Sequence, residues 1–108
     1  MSLKIDPFKI VVLVTRKSYS LKVEQSYLSE NKEVFTISGR NGSIQVQSNR
    51  PLIKADPYSK KKPDWKAVNA KVEQAAFFEA AIFAIQTHIS KLEHPHLHWL
   101  QHSKNLLN

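Results

Sequence analysis

Polar and apolar residues alternate with a period of two through the first half of the chain, then switch to a helical period near its end. Phe8 to Thr15 (FKIVVLVT) is rich in β-branched residues and apolar on both alternating faces, which suits a strand with neighbours on each side and cover above and below. It reads as a central strand. After a polar corner at Arg16, Lys17 and Ser18, the segment Tyr19 to Gln25 sets Tyr19, Leu21 and Val23 against Ser20, Lys22 and Glu24, the pattern of a half-exposed strand. Ser26 to Lys32 reads as a loop. Glu33 to Ser38 then places Phe35 and Ile37 on one face against Val34, Thr36 and Ser38, a third strand. The Asn-Gly pair within Gly39 to Gly42 supplies the positive φ values of a tight hairpin turn, and Ser43 to Ser48 resumes alternation with Ile44 and Val46 inward.

Asn49 to Asp64 contains Pro51, Pro57 and Pro63 and the run Lys60, Lys61, Lys62, so it predicts a long connection through which neither a helix nor an internal strand runs. Beyond it, at 100° per residue, Phe78, Ile82, Ile85, Ile89 and Leu92 share one stripe, which predicts a core-bound helix. Extending the stripe backwards would put Lys71 on it and turn Val68 and Val72 away, so the helix is expected to begin near Glu73. Trp65 to Val72 then fits a fifth strand with Val68, Ala70 and Val72 inward and Lys66 breaking the far end of that face; a separate helical turn is the competing reading.

The expected fold is therefore α+β: an antiparallel four- or five-stranded sheet with one long C-terminal helix packed on one face. A chain of 108 residues makes one such domain, since halves would bury too little core. Its parts are strands over 8–48, a Pro/Lys-rich connection over 49–64, the fifth strand over 65–72, the main helix over 73–92 and a His-rich segment over 93–108. The back of the helix carries Ala76, Ala80, Phe83 and Ala84 and is poorly suited to water. Its cover is expected from the C-terminal segment, through Leu97, Trp99 and Leu100, or from a second copy of the chain.

Composition narrows the chemistry. With 42% apolar and 23% charged residues the chain is of ordinary globular type. The absence of cysteine excludes disulfide frameworks, zinc ribbons and thiol nucleophiles. Residues Ile10 to Val14 are too short an apolar run for a signal peptide, so a cytoplasmic protein is expected. Ala75 to Ile85, interrupted by Glu79, falls short of the roughly 20 residues needed to cross a bilayer, and no membrane partner is expected.

His94, His96, His98 and His102 follow His88 closely, and His98 and His102 would share a helical face. Imidazoles are common metal ligands, but Glu93 is the only acid nearby to orient them and Pro95 breaks the local geometry. A solvated tail is the expected state, with no metal and no cofactor. The chain has no nucleophile elbow, no glycine-rich phosphate loop and no His-Glu-x-x-His motif. Glu24, Glu30 and Glu33 are expected on the solvated surface.

Sixteen Lys and Arg against nine Asp and Glu give a formal charge of +7, which favours polyanionic partners. Four antiparallel strands followed by a helix is similar to the order of single-stranded nucleic-acid-binding domains of the whirly and purine-rich-element-binding types. The resemblance lies in element order alone. Strand parity puts Phe8, Tyr19 and Phe35 on the core side and Lys9, Lys22, Thr36, Gln45 and Gln47 on the open side, which lacks aromatic platforms for bases. Contact would then fall to Arg16, Lys17, Arg40, Arg50, Lys60, Lys61 and Lys62 in the loops. Tyr58 and Trp65 flank the lysine run; Trp65 is expected to pin the loop to the core. The sequence reading is a non-catalytic binding or assembly module that forms a homodimer through Ala76, Ala80, Phe83 and Ala84. Its alternative is an accessory nucleic-acid-binding protein using the basic loops.

Overall fold

Short turns between successive alternating segments leave the strands little choice but to pair in chain order. The computed structural model, which describes residues 3–40, 42–56, 58–68 and 75–93, shows that outcome. Strands β1 (Phe8–Val14), β2 (Lys17–Leu28), β3 (Glu33–Gly39), β4 (Gly42–Ser48) and β5 (Trp65–Val68) form one antiparallel sheet in the order β1-β2-β3-β4-β5. A short helix α1 (Arg50–Lys54) lies between β4 and β5, and the long helix α2 (Ala75–Glu93) follows. The chain has the α+β architecture that its patterning predicts.

One face of the sheet supplies Ile10, Val12, Leu21, Val23, Phe35, Ile37 and Val46, and α2 lays Phe78, Ala81, Ile85 and Ile89 across them. Ile82 packs at the margin of this core, whereas Leu92 is exposed. The expected stripe thus ends at Ile89; in the last turn Glu93 forms an ion pair with Lys54 of α1 at 2.5 Å. The expected helix start near Glu73 and the expected strand positions Ala70 and Val72 lie outside the described residues.

Four expectations are corrected. The first strand is an edge, not a central strand: β1 pairs with β2 alone, from Phe8↔Val23 to Val14↔Lys17. The segment Ser26 to Leu28 is not loop but the end of β2. A register shift between Gln25 and Tyr27 leaves Ser26 as a bulge, bonded through its hydroxyl to the Val34 carbonyl and by the Thr36 hydroxyl. One extra residue reverses parity, so Tyr27, opposite Val34, joins the open face. The connection after β4 does contain a helix. Pro51 sits in the first turn of α1, where a missing N–H costs nothing. The ends of the connection are clasped: Asn49 N–H reaches the Asp64 carbonyl, and Asn49 Oδ1 accepts from Asp64 N–H at 2.7 Å. Finally, β5 has the opposite parity. Trp65 and Ala67 face the core opposite Ser48 and Val46, and Lys66 and Val68 lie on the open face opposite Gln47 and Gln45. The stacking of Trp65 on Phe35, ring centroids 5.8 Å apart, fixes that choice.

Two-residue turns close the β1–β2 and β3–β4 hairpins at the same end of the sheet. Between Val14 and Lys17 stand only Thr15 and Arg16, at φ 52° and 65°, as a type I′ turn requires. Between Gly39 and Gly42 the second hairpin is as tight, with Gly42 at φ 131°. A Cβ on Gly39 would stand 2.7 Å from Leu21 Cδ2, so the Leu21 side chain packs closely against the bare backbone there.

Candidate self-association surface

Two regions depart from an ordinary surface. One is a closed polar corner at the end of the sheet opposite the β1–β2 and β3–β4 turns. Glu33 shares the core parity of Phe35 and Ile37 and is fully buried, as is Arg50 but for 4%. The Arg50 guanidinium grips both carboxylate oxygens, Nε to Oε2 at 2.6 Å and Nη2 to Oε1 at 2.7 Å. The Ser48 hydroxyl donates to Oε2 at 2.7 Å and the Gln25 amide to Oε1 at 3.0 Å. Arg50 and Gln25 also donate to the Leu3 carbonyl, and Gln25 Oε1 accepts from Ile5 N–H. Every oxygen of the carboxylate is thereby matched. Glu33 is not solvated surface, and Arg50 is a structural cation tied to an internal partner.

The other region is apolar and open. On β1, Val11 and Leu13 project to the outer face and are 66% and 71% exposed. Across the same edge, on the core side of the sheet, α2 presents Phe83 at 70% exposure, with Ala76 exposed and Ala80 and Ala84 half-buried. Strand and helix flank a groove of ≈ 710 Å³ that takes in Ala76, Ala80, Phe83 and Ala84 together with Val11 and Leu13. Glu79 lines it towards one end and Lys91 towards the other. His88 lines it too and stacks on Phe8, ring centroids 3.7 Å apart and planes 9° from parallel. Burial, and next the Lys91 ammonium, hold its imidazole below the ordinary histidine range.

The helix patterning alone picks out Ala76, Ala80, Phe83 and Ala84, and the structure gathers these four on one groove. Val11 and Leu13 are the partners that pattern reading misses, because it assigns β1 a neighbour on each side. The missing signal is topological: a first strand joined to the next by a two-residue turn stands at an edge unless a later strand returns to it.

The basic residues do not gather. Arg16, Lys17 and Arg40 stand at the hairpin end, where Arg40, Tyr19 and Phe77 border a cleft of ≈ 860 Å³. Lys61 and Lys62 border another, of ≈ 770 Å³, at the opposite end beside Trp65 and Ser90, with Lys60 exposed near by. Trp65 Nε1 is buried there with no hydrogen-bond partner among the described residues, and Tyr58 is 89% exposed. Lys9, Lys22, Thr36, Gln45 and Gln47 do lie on the open face by register, joined by the Tyr27 ring under the Lys32 ammonium.

His94, His96, His98 and His102, with Leu97, Trp99 and Leu100, lie outside the described residues. Among the described residues no three His, Asp or Glu side chains converge as metal ligands, and no helix is long and apolar enough to cross a membrane. No protein-family model, curated protein or solved structure matches the chain.

Proposed function

We propose that this protein is a non-catalytic assembly module that associates with a second copy of itself through the groove between β1 and α2. The observation that carries the reading is the open edge at β1, where Val11 and Leu13 on the face away from α2 and Phe83 on the helix side are each about two-thirds exposed and line one groove. Scattered apolar residues are normal on a monomer, but large apolar side chains exposed on both sides of one open strand edge mark an interface. Ala76, Ala80 and Ala84 add a flank low enough for a second helix to approach closely. Burying each large side chain is worth on the order of 1–2 kcal/mol at this exposure, and twofold symmetry counts each one twice.

The test is molar mass in solution. Light scattering across a concentration series is expected to show a species of twice the 12.4 kDa chain. Phe83→Glu, which places a charge on the helix flank of the groove without touching the core, is expected to return the mass to one chain. A wild-type protein that stays at one-chain mass at about millimolar concentration would overturn the reading.

A further inference from the structure

We infer that two copies join edge to edge through β1, antiparallel about a twofold axis at Val11, so that twice five strands form one continuous sheet with both α2 helices on the same face. The inference rests on the self-association reading and adds its geometry. It begins at the turn. Because only Thr15 and Arg16 separate the paired residues Val14 and Lys17, that pair closes the hairpin with backbone hydrogen bonds, and bonded and non-bonded pairs alternate from there. Val12, Ile10 and Phe8 therefore spend their backbone groups on β2. Lys9, Val11 and Leu13 direct theirs at the outer edge, where no strand pairs with β1 among the described residues.

The second copy is the occupant that fits this edge. Val11 is the midpoint of the seven-residue strand, so a twofold there pairs all seven residues. It sets Val11 against Val11 and Lys9 against Leu13, where the lysine stem packs on the leucine. An axis at Lys9 would oppose two ammonium groups and leave most of the strand unpaired. The helix follows the same symmetry. Phe8 is level with His88, and α2 runs opposite to β1. Three residues up the strand, about 10 Å, correspond to six or seven back along the helix at about 1.5 Å each, which brings Phe83 and Ala80 to the level of the axis. Glu79 and Lys91 lie on either side of that level in one groove. Reversal by the twofold turns the acidic end of one chain towards the basic end of the other. Strand edge and helix flank together offer on the order of 500 Å² per chain, about 1,000 Å² in all, where specific interfaces begin. In that assembly β1 is a central strand, the position for which its two apolar faces are composed.

Val11→Pro removes an N–H that points to the outer edge and adds no clash on the β2 side. It is expected to weaken association about a hundredfold, since twofold symmetry doubles each lost hydrogen bond, with the far-ultraviolet spectrum of the wild type. The chain has no cysteine, so Val11→Cys gives a single thiol. It is expected to cross-link to its own copy on oxidation, because paired residues on neighbouring strands stand about 5.5 Å apart. Ser20→Cys, one strand further in on each side, is expected not to. If Val11→Pro stays dimeric and Val11→Cys does not cross-link while Phe83→Glu is monomeric, edge pairing is overturned and association through the helix stands. If Val11→Pro does not fold, the two cysteine variants decide alone. A wild type of one-chain mass overturns both.

Discussion

The corner around Glu33 and the edge along β1 invert the usual distribution of side chains in opposite ways. At the corner, ionised groups are buried, and each finds its partner within the chain: four donors meet the Glu33 carboxylate, and two meet the Leu3 carbonyl. At the edge, Val11, Leu13 and Phe83 are exposed and no described residue covers them. The polar anomaly is complete in one molecule; the apolar one is not. What an anomaly means thus depends on whether its requirements are met internally: the first is a lock on the fold, the second a demand for something outside it. The lock joins the segment before β1 to β2, β3, β4 and α1, elements that no single hairpin connects.

Breaking the lock should have the largest effect. Arg50→Met leaves Glu33 buried beside Ser48 and Gln25 without its cation. A loss of about 3–5 kcal/mol is expected, the usual consequence of an uncompensated buried charge, read as a lower urea midpoint. Adding Glu33→Leu to Arg50→Met is expected to recover part of that loss, because the orphaned charge goes too. Phe83→Glu draws the contrast. Its urea midpoint should be independent of protein concentration and close to the low-concentration value of the wild type, whereas the wild-type midpoint should rise with concentration as association stabilises the folded chain.

Period-two alternation at Tyr19–Gln25, Glu33–Ser38 and Ser43–Ser48, the Asn-Gly pair and the stripe through Ile85 and Ile89 made the sheet-and-helix class legible. Each records a local physical requirement that the chain meets within a few residues. Long-range choices left weaker marks. The bulge at Ser26 broke the alternation and concealed the last turn's worth of β2. In β5 both parities carry apolar residues, and the stacking of Trp65 on a ring thirty residues earlier in sequence decides between them; Lys66, sharing a face with Val68, was the available hint. Glu33 sits in phase with Phe35 and Ile37, but a carboxylate at a core position is readable as buried only when its cation is known, and Arg50 lies seventeen residues away. On the open edge, helix phase sufficed for Ala76, Ala80, Phe83 and Ala84. Val11 and Leu13 needed the strand order.

The turn that leads out of the open edge offers a smaller effect of opposite sign. Thr15 and Arg16 both adopt positive φ, a conformation that costs ordinary L-residues about 1–2 kcal/mol each and is rarest for β-branched ones. The register of Val12 and Leu21 on the core holds the turn to two residues, so the chain bears that cost. Thr15→Asn with Arg16→Gly should raise stability by about 1 kcal/mol after the extra entropy of the unfolded glycine chain is subtracted. The gain should appear as a higher thermal midpoint with the dimerisation constant unchanged, since the edge-facing groups of Lys9, Val11 and Leu13 are untouched.

The smallest expected effect belongs to the point where the two regions meet. Leu3 and Ile5 are held by the corner, and two residues later Phe8 begins the edge strand against His88. Burial first, and the Lys91 ammonium second, lower the His88 pKa below 6.5 in the folded chain. The unfolded chain therefore binds its proton at a higher pH than the folded one, and stability must rise with pH across that interval. The contribution is fully present above about pH 6.5 and is lost as pH falls through the depressed folded value. His88→Gln keeps a polar side chain but cannot titrate, so the pH dependence of its urea midpoint between about pH 7.5 and 5 should be shallower than that of the wild type, the carboxylates contributing equally to both. Equal slopes would mean that the Phe8–His88 stack accepts the imidazolium at no cost, and that the edge strand is anchored at this end by the corner alone.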